Sequence, residues 1–315
     1  MTRILSRTDL LALLDPLDCT QALREGFAAA TRSTTPGQRV STALPFPGTA
    51  TALLPGLLPG IDAYTVKVNA KFPGATPALR GVICLHRGTD GELLALIDSA
   101  TVTAWRTGLT AALATHLIAR PTSDGVHKVG VIGAGAQAEL TIRGLRALRS
   151  WDCLVVHDTD HKRAAAFAQR HGGTVVATPS EVAAAADIVV LATWSREPLL
   201  DLDDLKTGQH LTSLGADEPG KQELAPAVLT SARLIVDDVA LVAAHGALAS
   251  AGLPPATAAA SLGEVIRGQA PARSHSQEIT AYAPVGLPWQ DLAVCWLAYQ
   301  RAETTGTGAT FDLLS

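Results

Sequence analysis

The sequence predicts an α/β protein: a doubly wound domain around a parallel sheet, joined to a smaller α+β domain. Three observations carry that expectation. From about residue 125, short β-branched runs alternate with Ala-rich helical stretches, the pattern of βαβ units. The first of those strands opens into a glycine-rich turn. Before residue 120 the pattern changes to a Leu-rich start, a Pro/Gly-rich segment and alternating runs. The length, 315 residues, suits two domains or one large α/β domain. With 47% hydrophobic and 17% charged residues and a net charge of −4, the chain is not disordered and offers no basic field to nucleic acid. Cys19, Cys84, Cys153 and Cys295 lie far apart with no C-x-x-C pair, which reads as buried thiols in a reducing compartment. No stretch reaches about 18 uncharged apolar residues, and Asp9 and Asp15 interrupt the N-terminus, so a cytoplasmic protein without a membrane partner is expected.

In chain order, a Leu-rich first helix precedes the Pro/Gly-rich segment 34–60. A strand follows at 63–72, then a hairpin over 79–98 turning at Thr89-Asp90-Gly91, where Asp-Gly tolerates positive φ. A long helix over 101–120 is stopped by Pro121, and Pro121 to Gly125 forms a hinge. Strands are expected at 127–135, 152–158, 173–178, 186–193, 209–217 and 232–238. Helices over 138–148 and 161–171 repeat apolar residues every three or four positions, as a helix covering a sheet requires. The chain is helical again after Pro288 and returns to the first domain. Residues 1–120 and 285–315 are therefore assigned to one domain, and 121–284 to the doubly wound one.

Gly133-Ala134-Gly135-Ala136-Gln137-Ala138 follows a strand and opens a helix, so glycines permit the tight turn while the helix N-terminus faces an anion. Asp158 ends the next strand about twenty residues on, where an acid accepts hydrogen bonds from ribose hydroxyls. Together they point to a Rossmann dinucleotide site. Asp158 repels a 2′-phosphate and favours NAD(H), whereas His161, Lys162 and Arg163 just beyond are suited to NADP(H). Lys67 interrupts an alternating apolar strand, either as an edge lysine or as an inward functional one. Arg106 lies in an otherwise Ala/Leu/Thr helix, where a guanidinium snorkels or clamps a carboxylate. Asp217 follows the fifth strand of the nucleotide domain, at the carboxyl end where ligands bind, and a cap on a helix over PGKQEL is a second role compatible with the first. No His pair has metal-ligand spacing and no G-x-S-x-G elbow exists, so neither a metal site nor a serine hydrolase is expected.

Over nearly its whole length the chain resembles the ornithine cyclodeaminase/μ-crystallin family. The motifs are Lys67 in VKVNAKFPG, Arg106-Thr107 in DSATVTAWRTGLTAALATHLIAR, the VGVIGAGAQAE fingerprint and GADEPGKQEL with Asp217, Pro219, Gly220, Lys221 and Glu223. Gly286 to Asp291 is similar to a C-terminal G-x-A-x-Q-D segment, with Pro288 replacing a small residue. The resemblance implies a homodimer, with substrate binding and dimerisation assigned to the domain built from both chain ends. It implies that Arg39, Lys67 and Arg106 hold a substrate carboxylate, with Lys67 also polarising C=N or C=O, and that Asp217 transfers a proton. It further implies cofactor contacts at Thr107, Gly133, Gly135, Ala136, Gln137, Asp158, Ala192, Thr193 and Lys221.

Such families contain cyclodeaminases, amino-acid dehydrogenases and cyclic ketimine reductases, which differ in what meets the far end of the substrate. Bacterial ornithine cyclodeaminases carry an acid in an E-L-M-P segment, and Ala52-Leu53-Leu54-Pro55 matches it here. Without that acid a buried distal ammonium lacks a counter-charge. An apolar pocket from ALLPGLLPG suits a ring, so the expected reaction is NAD(P)H reduction of Δ1-pyrroline-2-carboxylate to L-proline, or of Δ1-piperideine-2-carboxylate to L-pipecolate. The alternatives are an ornithine cyclodeaminase or alanine dehydrogenase, and a non-enzymatic crystallin-like binder of NAD(P)H and a small ligand.

Overall fold

The computed structural model describes residues 1–30, 38–45, 48–72, 75, 77–125 and 128–313. His127, Thr34 to Gly37 of the Pro/Gly-rich segment and Pro73-Gly74 of VKVNAKFPG lie outside them. Packing divides the chain into two units, Met1–Arg106 with Leu287–Ser315, and Thr107–Gly286. The first unit begins with β1 (Thr2–Leu5), α1 (Arg7–Leu13) and α2 (Pro16–Ala29). The expected single Leu-rich helix is thus two. Leu14 leaves the helical region, and the Asp15 carboxylate accepts from the N–H groups of Leu17 and Asp18, with Pro16 opening α2.

The Pro/Gly-rich segment, read without strands, carries β2 (Gln38–Ala43) and β3 (Thr49–Gly56), paired antiparallel. Pro55 is tolerated because it sits where the β3 register shifts. β4 (Ala63–Lys71), β5 (Leu79–Arg87) and β6 (Leu93–Asp98) continue the antiparallel sheet, with the expected hairpin turn at Gly91, φ +77°. Residues directly opposite one another share a face. Arg39, Leu53, Lys67, Ile83 and Ile97 form one such row. Leu53, Lys67, Ile83 and Ile97 in it are buried. The next row, Val40, Ala52, Val68 and Val82, lies on the other face, and its three valines are exposed. α3 (Ser99–Ile118) follows at once.

The second unit contains β7 (Lys128–Ile132), α4 (Ala136–Leu148), β8 (Cys153–His157), α5 (His161–His171), β9 (Thr174–Val175), α6 (Pro179–Ala185) and β10 (Ile188–Leu191). It continues with β11 (His210–Ser213), α7 (Pro226–Ser231), β12 (Arg233–Val236), α8 (Val239–His245), α9 (Ala247–Ala251), β13 (Ala258–Ser261), α10 (Leu262–Ile266) and β14 (Thr280–Tyr282). Eight parallel strands run β13-β12-β14-β11-β10-β7-β8-β9. Apolar side chains cover both faces, around Ile132, Val189, Leu211 and Val236 on one and Val129, Leu145, Phe167 and Val190 on the other. The strand order reverses between β7 and β10, the switch point at which doubly wound sheets bind ligands. β13 and β14 escape a sequence reading because AAAS and TAY lack a β-branched run.

The division between units falls inside α3, between Arg106 and Thr107, and Pro121 to Gly125 is instead a single 3₁₀ turn and its cap within the second unit. Gly108 and Gly144 explain why. A Cβ added at Gly108 would lie 2.5 Å from the Leu140 Cβ, and one at Gly144 2.6 Å from Leu109 Cδ2, so the later part of α3 is pressed onto α4. α11 (Pro288–Thr305) and β15 (Ala309–Phe311) complete the first unit. α11 packs on α2 and across β3 and β4, with Trp289 edge-on to Phe27 at 4.8 Å. β15 pairs with β1, giving the sheet order β15-β1-β6-β5-β4-β3-β2.

His210 opens β11 fully buried, with its ring nitrogens 2.9 Å from Thr280 Oγ1 and 3.0 Å from Thr212 Oγ1. Burial, reinforced by the positive Arg273 and Arg149, holds its pKa well below the ordinary histidine value of 6.5. The unfolded chain therefore takes up a proton below about pH 6.5 that the native ring refuses, so this group removes stability as pH falls, at about 1.4 kcal/mol per pH unit. Urea midpoints between about pH 7 and 5 should show that slope in the parent and lose it in His210→Asn; equal slopes would assign the acid sensitivity elsewhere.

Candidate active site

In the second unit, β7 ends in the glycine turn and α4 begins at Ala136 with Gln137 in its first turn. Gly133 has φ +91°, and a Cβ there would lie 2.6 Å from the Ala192 carbonyl oxygen, so only glycine fits. Gly135 is different: φ −87° suits any residue and an added Cβ meets nothing within 4 Å. The protein leaves that space open. Gly135 also caps α4 without a side-chain hydrogen bond, so the helix N–H groups have no side-chain cap. The buried Thr107 hydroxyl has no hydrogen-bond partner among the described residues. An open cradle and an uncapped helix start fit a dinucleotide pyrophosphate.

Asp158 turns into this loop. Its Oδ2 accepts from the Ala134 N–H at 2.8 Å and its Oδ1 from the Asp160 N–H at 2.8 Å, and its side chain is 5% exposed. Arg163, one of the basic residues suited to a 2′-phosphate, lies 3.5 Å from Asp158 and 3.4 Å from Asp160.

Ala192 and Thr193 follow β10, and Thr193 is held by Glu223, a residue the sequence showed only as part of a motif. The buried Glu223 carboxylate accepts from Thr193 N–H at 2.6 Å, Thr193 Oγ1 at 2.7 Å, Ser213 Oγ at 2.8 Å and Gly215 N–H at 2.7 Å. Burial pushes its pKa above the usual carboxylate range against those four bonds. Asp217 lies in the loop after β11 with its side chain 27% exposed. PGKQEL is not helical, so Asp217 caps no helix; a turn through Pro219 and Gly220 brings Lys221 back instead. Lys221 Nζ lies 2.9 Å from Asp217 and 3.3 Å from Glu218, and 5.6 Å from the centre of the exposed Trp194 ring. Although burial works to lower it, Asp217 and Glu218 hold the Lys221 pKa above its ordinary value.

In the first unit Lys67 is not an edge lysine, since β4 lies between β3 and β5. Its side chain is 1% exposed, and Nζ lies 2.6 Å from Asp291 Oδ2 on α11 and 3.4 Å from Thr103 Oγ1. Arg106 Nε lies 3.5 Å from Asp291 Oδ1, and Nη1 donates to Gln290 Oε1 at 3.4 Å. Burial, partly offset by Asp291 and reinforced by Arg106, brings the Lys67 pKa down to about 8. Arg39 shares the row with Lys67, Leu53 standing between them. Ala52, expected to line the pocket, pairs with Val40 and Val68 on the opposite face, because the pleat alternates and the register shift comes only after Leu53. Leu53, Thr51 and Thr49 are β3 side chains on the Lys67 face.

Fold and site define an α/β protein whose parallel sheet carries a dinucleotide-type turn and whose other unit buries a lysine and an arginine around one carboxylate. The chain belongs to the ornithine cyclodeaminase/mu-crystallin family, whose model matches residues 2–306. It is 31% identical over 241 residues to an alanine dehydrogenase of Archaeoglobus fulgidus, covering 74% of each chain. Among solved structures it is similar to an archaeal alanine dehydrogenase dimer with bound NAD, at TM-score 0.90 and 27% identity over 99% of both chains. It is also similar to the Δ1-pyrroline-2-carboxylate reductase of Thermococcus litoralis in complex with NADH and L-proline, at TM-score 0.91 and 25% identity, covering 98% of this chain and 100% of that one. Family members are oxidoreductases or cyclodeaminases acting on imino or amino acids, and structural neighbours bind a nicotinamide cofactor.

Proposed function

We propose that the protein reduces a small cyclic α-imino acid, Δ1-pyrroline-2-carboxylate to L-proline, with the larger Δ1-piperideine-2-carboxylate as a second substrate. The observation that carries this reading is the buried Lys67 and Arg106 around Asp291, on a sheet face whose neighbouring β3 side chain is Leu53. Two cations and one anion leave a net positive charge to bind one carboxylate, and the row through Leu53, Ile83 and Ile97 offers apolar contact but no acid for a distal ammonium.

Arg39, Lys67 and Arg106 hold the carboxylate, and Lys67 also polarises the C=N bond. The bound nicotinamide supplies a hydride to the α-carbon as NADH is oxidised. Asp217 takes part in the proton transfer at the ring nitrogen, and Lys221, 2.9 Å away, keeps its carboxyl group oriented. Thr107, Gly133, Gly135, Ala136, Gln137, Asp158, Ala192, Thr193 and Lys221 would hold the cofactor. Asp158 and Asp160, with Arg163 drawn onto them, favour NAD(H) over NADP(H). A homodimer is part of the reading, supported by the exposed Val40, Val68 and Val82 row. Cytoplasmic location is supported by four free cysteines, of which Cys19 and Cys295 are buried but Cys84 is half-buried and Cys153 exposed, against the expectation of buried thiols; no described helix is long and apolar enough to cross a membrane.

Loss of NADH absorbance on adding Δ1-pyrroline-2-carboxylate tests this directly, with NADPH measured separately. Fast oxidation of NADH is expected, with NADPH slower. A second reading, alanine dehydrogenase, is favoured by the similarity to the Archaeoglobus enzyme, and NADH oxidation with pyruvate and ammonia but not with the cyclic imine would replace the first reading by it. Ammonia released from ornithine would mean a cyclodeaminase, and silence with every substrate a binding protein.

A further inference from the structure

Asp291 is a buried carboxylate set between two buried cations, Lys67 and Arg106. α11 presents it among Trp289, Leu292, Val294 and Cys295, all buried, and its own side chain is 1% exposed. Replacing a buried ion pair by well-packed apolar groups is often neutral or stabilising, so a buried Lys–Asp–Arg line is weak evidence for a purely structural role. Its geometry is divided: Oδ2 faces Lys67 Nζ at 2.6 Å and Oδ1 faces Arg106 Nε at 3.5 Å. One carboxylate thereby sets the spacing of the two cations and separates charges that would otherwise repel.

We propose that Asp291 is the positioning residue of the carboxylate clamp, the internal counter-ion that keeps Lys67 protonated and fixed beside Arg106 when no substrate is bound. The proposal rests on the reading of Lys67 and Arg106 as carboxylate-binding groups. The titratable and charged groups acting on Lys67 are Asp291 and Cys295 from α11 and Arg106 from α3. Burial and Arg106 draw the Lys67 proton off, and Asp291 is the main group that opposes them; the Cys295 thiol, pushed well above its usual range by burial, stays neutral. Without Asp291, Lys67 loses its proton at lower pH and the clamp loses one of its charges.

The test is Asp291→Asn in the full-length protein with NAD⁺ bound, read by the affinity for pyrrole-2-carboxylate, whose ring nitrogen does not titrate in the range, from about pH 6 to 10. Parent affinity should fall as pH rises through about 8, where Lys67 deprotonates. In Asp291→Asn that fall should move down by about one pH unit or more, with binding near pH 8 weakened about tenfold, since one pH unit in a required ionisation is tenfold in affinity. Asp291→Glu keeps a charge and should leave the fall near its parent position; it also serves if the Asn protein does not fold, because a fall displaced as far in Glu as the loss of charge demands would contradict the proposal.

A second readout needs no ligand. The native Lys67 pKa lies below the unfolded 10.5, so the unfolded chain holds the extra proton between about pH 8 and 10.5 and stability rises with pH across that window. In Asp291→Asn the rise should begin below pH 8. A merely structural Asp291 would lower stability at every pH without moving either curve, and that result would overturn the proposal. Parent protein that binds pyrrole-2-carboxylate yet reduces no cyclic imine would overturn the functional reading alone.

Discussion

Asp217→Asn is expected to lower kcat for imine reduction by about 10²- to 10⁴-fold, the usual worth of a positioned proton-transfer group, with NADH affinity changed little. The asymmetry follows from placement. Asp217 lies on the loop after β11 with its side chain partly exposed, whereas the turn that fits the dinucleotide is built by Gly133, Gly135 and the start of α4. Asparagine preserves shape and still accepts a hydrogen bond from Lys221, so the local turn survives while the acid is lost. Steady-state kinetics and NADH fluorescence titration on the same preparation check both halves. Full turnover in the variant would remove Asp217 from the proton-transfer role, and lost NADH binding with it would make the residue a cofactor ligand.

The second large effect concerns stability. Glu223→Ala should cost about 3 kcal/mol or more, because several buried donors lose their acceptor at about 1–3 kcal/mol each. The Thr193 and Gly215 N–H groups come from the ends of β10 and β11, so NADH affinity should fall in parallel. Urea denaturation at neutral pH measures the first and fluorescence titration the second. A loss below about 1 kcal/mol would mean that those donors find other acceptors or water.

Local pattern made the nucleotide unit legible. Strand, glycine turn and helix over 128–148 follow from residues a few positions apart, and α5 falls on His161–His171 because its apolar repeat, its Asp160 cap and its terminal Gly172 agree. The first unit was harder. Gly and Pro hid β2 and β3, whose pairing alone shows that Lys67 faces inward beside Leu53 and that Ala52 faces away. Counting back from Pro55 identified a matching position but not its face, and a strand alternates faces at every step. Asp291 was quoted in a motif without a role, since an acid in the first turn of a helix is already explained by the helix dipole. Its partners Lys67 and Arg106 are distant in sequence, and nothing local announces them. Glu223 was hidden in the same way, for its donors come from two different strand ends.

The pairing of β1 with β15, and of Lys67 with Asp291, also sets an order of events at the ribosome. Synthesis runs from the N-terminus, so β1 to β6 emerge long before the helix and strand that cover them. Until α11 is released, the buried lysine has no anion from that helix and the β3–β4 face has no lid. The nucleotide-type unit, contiguous from Thr107 to Gly286, can meanwhile close on itself. The nascent sheet of the first unit therefore waits, without α11 and β15, until the chain is nearly complete.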